Sequence, residues 1–469
     1  MKTIPVKLSR LGIALCLGLS VCLAAPVGAA GPTTVFTGAR MIDGTGRAPV
    51  ENAILVIQDG KIISAGPAAT TTYPKGADTK IVDLKGRTIM PGLVNAHGHL
   101  GLTKGDSLAP ENYSRENVAK QLAQYEAYGV TGILSLGLNR AVIYDWRNEQ
   151  KAGKLPGADI FIGDRGIGVI KGAPPLNVAD EQVYRPTTPE EARAAVREMA
   201  ARHPDMLKIW LDDLFGSAAK MPPEIFSALI AEAHAAVDEA HKKGLRVAAH
   251  VFYLADAKAL LQANVDAFAH SVRDQVVDEE FIKDIKARGV TYIPTLSLDE
   301  SQFIYAEDPA WAAEPFFTAA VDPVLIAKWK SDDYRTKLAA HPNTPKNRAA
   351  SANGLKNVKL LFDAGVPIAL GTDSGGLMSR IQGFGEHREM QLLVQAGLKP
   401  MDAIVCATRN SSVFIGAMDR GTLEAGHRAD FLVLAGNPLD DIRNTTRIVT
   451  IYHDGKPVTP MVPGDTAVK

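Results

Sequence analysis

Two histidines one residue apart, in the segment PGLVNAHGHL (residues 91–100), are the first pattern in the sequence that could do chemistry. His97 and His99 end an apolar run that is typical of a strand, and alternate residues of a strand point to the same face. Two imidazoles on one face can bind a single metal ion. The spacing alone is weak evidence, because most histidines are surface or core residues, so its meaning depends on partners elsewhere in the chain.

Four further residues of ligand type lie in later apolar runs. Lys208 is in MLKIW, His250 in VAAHVF, His270 in AFAHSV and Asp373 in LGTDSGG. Each has an ordinary alternative, since the backbone can satisfy a core histidine, a lysine can reach solvent and an aspartate can cap a turn. Nitrogen and oxygen donors of this kind suit zinc and other divalent ions. If the runs meet in space, they predict a metal site.

The runs that carry these residues belong to a series of eight strand-like segments that alternate with helical patterns. They cover residues 93–100, 132–137, 159–166, 207–213, 245–252, 267–272, 290–298 and 366–376. Eight buried parallel strands alternating with helices predict an α/β fold, a (β/α)8 TIM barrel over residues 91–415. A doubly wound open sheet is the alternative, but no glycine-rich phosphate loop follows the first strand.

The helical patterns between these segments include residues 189–202 and 222–244, and the second pattern ends in Lys-Lys-Gly, which favours a helix terminus. The active site of such a barrel lies at the carboxyl ends of its strands. Five of the eight strands carry the six polar groups there. Residues 297–345 form a long connection after the seventh strand and predict a partly helical insertion over the barrel mouth.

The two ends of the chain, residues 31–90 and 416–469, contain short strand-like runs. Asp59-Gly60 and Asp454-Gly455 each separate two such runs, and this dipeptide favours hairpins because it tolerates positive φ. Since isolated hairpins are marginally stable, we expect the two ends to pair into one small β-sandwich domain. Two independent terminal extensions are the alternative.

Residues 1–30 have the pattern of a secretory signal peptide. A basic start is followed by LGIALCLGLSVCLAA and by the small residues PVGAA, which predicts cleavage after Ala29 or Ala30. The apolar run is too short for a typical membrane span. The expected product is therefore exported, either periplasmic or secreted, and free of the membrane after signal removal. Cys406 would be its remaining cysteine, which excludes an intramolecular disulfide.

The charge of the chain also limits its partners. It has 51 basic and 52 acidic residues, and three of the basic residues, Lys2, Lys7 and Arg10, would leave with the signal. The mildly acidic product argues against nucleic acid or an anionic membrane surface as the main partner. A small-molecule substrate is expected, and homo-oligomerisation is left open.

PGLVNAHGHL resembles the first-strand His-x-His of the amidohydrolase superfamily, and RGTLEAGHRADFLVLAGNP resembles its return into a β-sandwich. The resemblance covers essentially the whole mature chain and points to imidazolonepropionase-like or prolidase-like members. It implies two divalent metal ions, zinc by default, and a lysine carboxylated by CO2. The implied ligands are His97, His99 and Asp373 for one ion, His250 and His270 for the other, and carboxylated Lys208 between them.

The resemblance further implies hydrolysis by metal-activated hydroxide, because a bound metal lowers the pKa of water toward about 7. Asp373 would accept and pass on the proton. Related deaminases resemble one another in a His-x-x-Glu pattern at the fifth strand. In this sequence Val251, Phe252 and Tyr253 follow His250, so no glutamate occupies that place. We therefore expect a binuclear enzyme that hydrolyses an amide (C–N) bond, as in a dipeptide or N-acyl amino acid. The alternative is a lactonase or phosphotriesterase-like esterase on the same site.

Three further residues are candidates for substrate binding. Arg273 could bind a carboxylate, Tyr253 could donate to the developing oxyanion, and His387 could face the pocket, although each has a structural alternative. Asn95 stands where many relatives carry the Asp of an Asp-x-His-x-His pattern, which affects ligand orientation. Two other functions stay open, a ligand-free scaffold protein and a metal- or solute-binding protein without turnover.

Overall fold

The computed structural model describes residues 31–238 and 243–464. The predicted signal peptide, residues 1–30, lies outside the described residues, and so does part of the predicted helix 222–244. In the described ranges, no helix has the length and hydropathy needed to cross a bilayer. Cys406 is a buried free thiol.

Strands from both ends of the chain form one mixed eight-stranded sheet. Its strands are Thr33–Met41, Val50–Gln58, Lys61–Pro67, Thr79–Asp83, Thr88–Pro91, Phe431–Leu434, Ile448–His453 and Lys456–Val458. The amino-terminal and carboxyl-terminal groups meet where Thr88–Pro91 pairs antiparallel with Phe431–Leu434. On one side of the sheet the rings of Phe431 and Tyr452 stack with centroids 4.5 Å apart. The two ends therefore share one sheet and one apolar core.

Both predicted hairpin turns are confirmed. Asp59 and Gly60 have φ values of 50° and 75°, and Asp454 and Gly455 have φ values of 51° and 71°. Two consecutive left-handed residues are what a two-residue type I′ turn requires. The flanking strands pair directly across each turn.

Within the described central part of the chain, seven further strands run parallel to their neighbours. They are Leu93–Gly98, Val130–Ser135, Asp159–Ile162, Leu207–Trp210, Val247–His250, Ala267–Ala269 and Thr291–Ile293. The first three form one parallel sheet and the last four form another. Single parallel bridges connect the groups, from Ile167 to Ile209, from Tyr292 to Ile368 and from Gly98 to Ser374. Residues 368–374 thus lie between the last strand and the first, and the pairings follow one another in cyclic order.

Several predicted elements are longer than those observed. The predicted strand 290–298 ends at Ile293, because a helix begins at Leu296. The predicted strand 366–376 forms only bridges. The predicted helix 222–244 ends at Ala235, since the chain returns against it: Leu245 N donates to Ala233 O at 2.9 Å.

Helices surround the parallel strands and fill the long insertion. The α-helices are Arg115–Ala127, Ile143–Lys151, Pro189–Ala200, Pro223–Ala235, Leu254–Gln262, Glu279–Arg288, Leu296–Ser301, Pro315–Thr318, Pro323–Lys330, Asp332–Ala340, Thr344–Asp363, Phe384–Gln395, Pro400–Val405 and Ser411–Ile415. Short two-residue pairs (Thr103–Lys104 with Ser107–Leu108, Val237–Asp238 with Lys243–Gly244) complete the strands. Residues 297–345 are partly helical, as predicted. Their aromatic residues form a local core in which Tyr305 stacks on Trp329 at 4.3 Å.

Candidate metal centre

Backbone hydrogen bonds join the strand Leu93–Gly98 to residues 368–374. This contact between the two segments, the seam, brings Asp373 close to His97 and His99. Asp373 N donates to His97 O at 2.7 Å, and His99 N donates to Ser374 O at 2.8 Å. Gly371 makes this approach practicable, because a Cβ there would lie 2.7 Å from the Cβ of His97. A side chain at this position would push the two segments apart.

His97, His99 and Asp373 converge in this seam. Asp373 Oδ1 lies 2.8 Å from His99 Nε2 and 3.1 Å from His97 Nε2. The ligand atoms of His97, His270 and Asp373 all lie within 4.8 Å of one another. Three buried donors at this spacing can surround one metal ion.

The remaining predicted ligands lie on neighbouring strands. Lys208 and His250 come from paired strands, and His270 directly follows the next one. The ring centroids of His250 and His270 are 4.4 Å apart, and those of His97 and His270 are 4.7 Å apart. Lys208 Nζ lies 3.5 Å from His97 Nε2. The structure therefore brings all six predicted metal ligands together.

Burial sets the charge of this cluster. It lowers the pKa of His97, His250 and His270, so these imidazoles are held in the neutral form that binds metal. Burial also lowers the pKa of Lys208 to about 7, although the nearby carboxylate of Asp373 opposes the shift. A substantial fraction of the Lys208 amine is thus neutral near pH 7.

Two charged residues that contact the predicted ligands, Asp212 and Arg380, were not identified by sequence analysis. Asp212 Oδ2 lies 2.7 Å from His250 Nε2, and although burial alone would raise the pKa of Asp212, His250 helps to lower it to about 2. Arg380 Nη1 contacts Asp373 Oδ2. Burial opposes ionisation of Asp373, but Arg380 and His99 hold its pKa well below the usual range. Asp212 lies near the end of the predicted strand 207–213, so its position could have identified it, whereas Arg380 follows a turn and carries no such signal.

Orphaned nitrogens and a strained backbone support metal binding by this cluster. In the described part of the chain, Nδ1 of His97, His99 and His250 is buried without a hydrogen-bond partner. His270, Thr295 and Asp373 have φ values of 109°, 49° and 55°, which are unusual for residues with a Cβ. Strain of this kind persists where the surroundings enforce it and is common at functional sites. The donor set and its geometry fit divalent metal.

Asn95 stabilises the seam through buried side-chain hydrogen bonds. Its Nδ2 donates to Glu386 Oε1 at 2.5 Å and to Thr372 Oγ1 at 2.9 Å, and its Oδ1 accepts from His97 N at 2.9 Å. The amide thus binds a carboxylate that an aspartate at this position would repel. Many relatives carry an aspartate where this chain has Asn95. Glu386, 291 residues further along the chain, accepts a hydrogen bond from the asparagine and therefore suits this replacement.

Comparison with known proteins agrees with this geometry. Residues 88–467 match the model of the amidohydrolase family, which is most of the chain. The chain belongs to the amidohydrolase family. The resemblance seen in the sequence is therefore confirmed.

This amidohydrolase is similar to several characterised members. An ochratoxinase from Aspergillus niger is 25% identical over 468 residues, covering 91% of this chain and 84% of that protein. An imidazolonepropionase from Symbiobacterium thermophilum is 26% identical over 430 residues, covering 85% and 86%. The crystal structure of a Xaa-Pro dipeptidase with bound methionine shares the fold, with a TM-score of 0.69 at 23% identity over 91% of this chain and 99% of that one. This amidohydrolase is accordingly a hydrolase acting on C–N bonds, with a candidate metal site.

A cavity of about 220 Å³ opens beside the ligands of this amidohydrolase and includes His99, His250, His270 and Asp373 in its lining. Arg273 also lines it, and two of its guanidinium nitrogens bind protein partners. Nη1 donates to the carbonyls of Val251 and Ser271, and Nε lies 2.9 Å from Asp299 Oδ1. The ion-pair partner of Arg273 is thus Asp299. These contacts indicate a structural role for Arg273, and its binding of a substrate carboxylate stays a prediction.

The structure does not bring the other two substrate-binding candidates to the cavity. The Tyr253 hydroxyl donates to Asp213 Oδ1 at 2.8 Å, away from the lining residues. His387 is fully buried between Tyr128 O, 2.8 Å from its Nε2, and Thr445 Oγ1, 3.0 Å from its Nδ1. Burial lowers the pKa of His387 to about 4. Tyr253 lies just before the helix Leu254–Gln262 and His387 lies within the helix Phe384–Gln395, and both side chains are bound by structural partners.

Thr295 orients His270 and provides a direct test of the centre. Its Oγ1 lies 2.7 Å from His270 Nδ1, and Glu389 holds the turn by accepting from Leu296 N at 2.8 Å. A hydrogen bond at Nδ1 leaves Nε2 free for metal. We expect Thr295→Val, which removes the hydroxyl and keeps the shape, to weaken metal binding about 10- to 100-fold, measured by competition with a chelator.

Thr295→Ser is the matched control, because it retains the hydroxyl at the same backbone position. It should bind metal nearly as the unmodified protein does. Equal metal affinity in the Val and Ser variants would show that the hydroxyl does not orient His270.

Proposed function

We propose that this amidohydrolase hydrolyses the amide bond of a small carboxylate-bearing molecule, such as a dipeptide or an N-acyl amino acid, at a binuclear metal centre. The observation that carries the proposal is the convergence of six buried or nearly buried ligand-type side chains, four of which line one cavity. The similarity to an ochratoxinase and an imidazolonepropionase supports a C–N bond as the target.

The donor set divides into two halves that share one residue. His97, His99 and Asp373 would hold one ion, and His250 and His270 the other.

Lys208 lies between the halves, and its neutral amine can attack CO2, forming a carbamate and releasing one proton. A carbamate supplies two anionic oxygens, which suits a bridging ligand. The lowered pKa of Lys208 supports this chemistry because only the neutral amine is nucleophilic. Zinc is proposed as the metal because nitrogen and oxygen donors suit it.

The cyclic order of the parallel pairings supports a closed (β/α)8 barrel over residues 91–415. The single sheet that strands of both ends share supports one composite domain from residues 31–90 and 416–469, which we propose to be a β-sandwich. In a barrel of this kind the ligands occupy the carboxyl ends of the strands, where active sites lie. The proposed domain arrangement and the proposed site are therefore consistent with each other.

When bound, divalent metal lowers the pKa of water and polarises a substrate carbonyl. Asp373 is ionised and accepts the proton of the attacking water, then passes it to the leaving nitrogen. Asp212, through its contact with His250, fixes the orientation of that ring. The apolar residues around the cavity exclude other water from the reacting bond.

The signal-like segment 1–30 supports an exported enzyme that is periplasmic or secreted and acts on a small soluble molecule. Mass spectrometry of the mature amino terminus, isolated from the outer compartment of the producing cell, tests this. Recovery of the uncleaved chain in the cytosol would contradict it.

The proposed reaction is tested by metal analysis coupled to a substrate panel. Purified enzyme, stripped of metal and reloaded with zinc, is assayed on X–Pro dipeptides, N-acyl amino acids, lactones and organophosphate esters. We expect two zinc ions per chain and zinc-dependent release of amino acid from an amide. Turnover confined to lactones or organophosphates would replace the proposal with the esterase alternative, and metal binding without turnover would indicate a binding protein.

A further inference from the structure

We infer that Arg380 recognises the substrate carboxylate, and that an apolar wall across the cavity accepts the acyl group of the amide. The inference rests on the proposed amide hydrolysis and specifies its substrate class, an amino acid acylated by an apolar or aromatic group. It assigns specificity to a residue that no sequence pattern singled out.

Arg380 is placed in the cavity by a tight turn after Asp373. Its backbone N donates to Leu377 O at 3.0 Å, and its O accepts from Gly375 N at 2.9 Å. The side chain is 15% exposed and lines the cavity. Its Nη1 contacts Asp373, while its Nε is buried and has no hydrogen-bond partner in the described ranges. A guanidinium can bind a carboxylate through two parallel N–H groups, and Arg380 retains a buried donor for this purpose.

The other charged groups of the lining are committed elsewhere. Arg273 is used by two carbonyls and Asp299, as described above. Asp212 is paired with His250. A buried donor without a partner is costly, and a ligand that satisfies it gains the corresponding free energy. Arg380 is therefore the cationic group of the lining best able to bind an anionic substrate.

The opposite side of the ring of strands is apolar and aromatic. Trp210 belongs to the strand Leu207–Trp210, and Phe252 follows the adjacent strand Val247–His250, half-way around the cyclic order from Asp373. Phe215 packs edge-on against Phe252 with centroids 4.7 Å apart and is 39% exposed. Leu176 and Leu214 complete this wall. This wall can bury an apolar group of the substrate, and the predicted metal ligands lie between the wall and Arg380.

These two features orient an N-acyl amino acid across the centre. Its carboxylate would face Arg380, its acyl group would face the wall, and its amide carbon would lie between them. Hydrolysis then breaks the C–N bond, forms a C–O bond from water and transfers one proton to the nitrogen through Asp373. The products are a free amino acid and a carboxylic acid, so no oxidant, reductant or co-substrate other than water is needed.

The inference is tested with two substrates that differ only in the carboxylate. N-benzoyl-L-phenylalanine and N-benzoyl-2-phenylethylamine both release benzoate, and kcat and KM are measured for each with the zinc-loaded enzyme. We expect Arg380→Gln to reduce the preference for the carboxylate substrate about 10- to 100-fold, mainly through KM. Arg380→Lys should restore part of this preference. Arg348→Gln, which removes an exposed arginine paired with Glu307, is the matched control and should leave the preference unchanged.

A binding measurement separates this inference from the proposed reaction. Calorimetry with 4-phenylbutanoate and 4-phenylbutanol, neither of which can be hydrolysed, should show that Arg380→Gln weakens only the carboxylate probe, by about 10-fold or more. Equal losses for both substrates, or unchanged affinity for 4-phenylbutanoate, would overturn the role of Arg380 even if amides are hydrolysed. Selective loss of 4-phenylbutanoate binding without any amide turnover would retain that role and refute the proposed reaction.

Discussion

Asp373→Asn is expected to lower kcat about a hundredfold to ten-thousandfold while the fold is retained. The substitution keeps the size of the side chain but removes the charge that, in the proposed mechanism, accepts the proton of the attacking water. Asp373 is nearly buried and lies within hydrogen-bond distance of His97 and His99. Its loss therefore affects both proton transfer and metal binding. The measurement is kcat at several pH values, with metal content and circular dichroism recorded on the same samples.

Asp213→Asn is the control for this variant. Asp213 is a neighbouring carboxylate that accepts from the Tyr253 hydroxyl and does not line the cavity. We expect its kcat to stay within about twofold of the unmodified enzyme, since exposed or half-exposed groups away from the site usually have small effects. A near-normal rate in Asp373→Asn, with metal bound, would remove Asp373 from its role as proton acceptor.

Lys208→Ala is expected to leave one metal ion or fewer per chain and to reduce activity by at least about a hundredfold. Lys208 is fully buried, and the methylene chain of a lysine fills volume as well as presenting an amine. Lys208→Met, which keeps most of that volume, separates loss of the amine from loss of packing. Metal content is measured by mass spectrometry, and a 13C carbamate signal is sought by NMR in unmodified enzyme supplied with labelled bicarbonate.

A short carboxylic acid such as propionate should partly restore the Lys208→Ala variant, because it supplies carboxylate oxygens to the space left by the side chain. Lys220→Ala is the control, since Lys220 is a half-exposed lysine paired with Asp256 outside the cavity. Two metal ions and full activity in both Lys208 variants would exclude the bridging role.

The sequence was sufficient to predict the elements whose signals are local. The two Asp-Gly turns are fixed by backbone preferences, and the predicted metal ligands lie in or next to apolar runs. The extent of those runs was less predictable. Leu296 continues an apolar pattern but begins a helix, because Glu389 accepts its backbone N–H and that of Ser297. This cap comes from a helix 93 residues away, so no local pattern reveals it.

Side-chain direction was the least predictable feature of the site. Tyr253 follows His250 by three residues and Arg273 follows His270 by three, yet one phenol turns to Asp213 and one guanidinium is used by Asp299. Arg380 lies seven residues after Asp373 and reaches it across a turn. Which of these groups faces the cavity depends on tertiary contacts, and spacing along the chain does not determine those contacts.

The seam between the first strand and the Asp373 segment has a consequence for how the protein is made. His99 and Asp373 are 274 residues apart in sequence, so the ribosome must complete most of the chain before the two can meet. Contacts of such separation form late, after the entropy of closing a long loop has been overcome. A nascent chain that ends before residue 373 holds its first-strand histidines without their carboxylate. The candidate metal centre is consequently assembled only after residue 373 has been added to the growing chain.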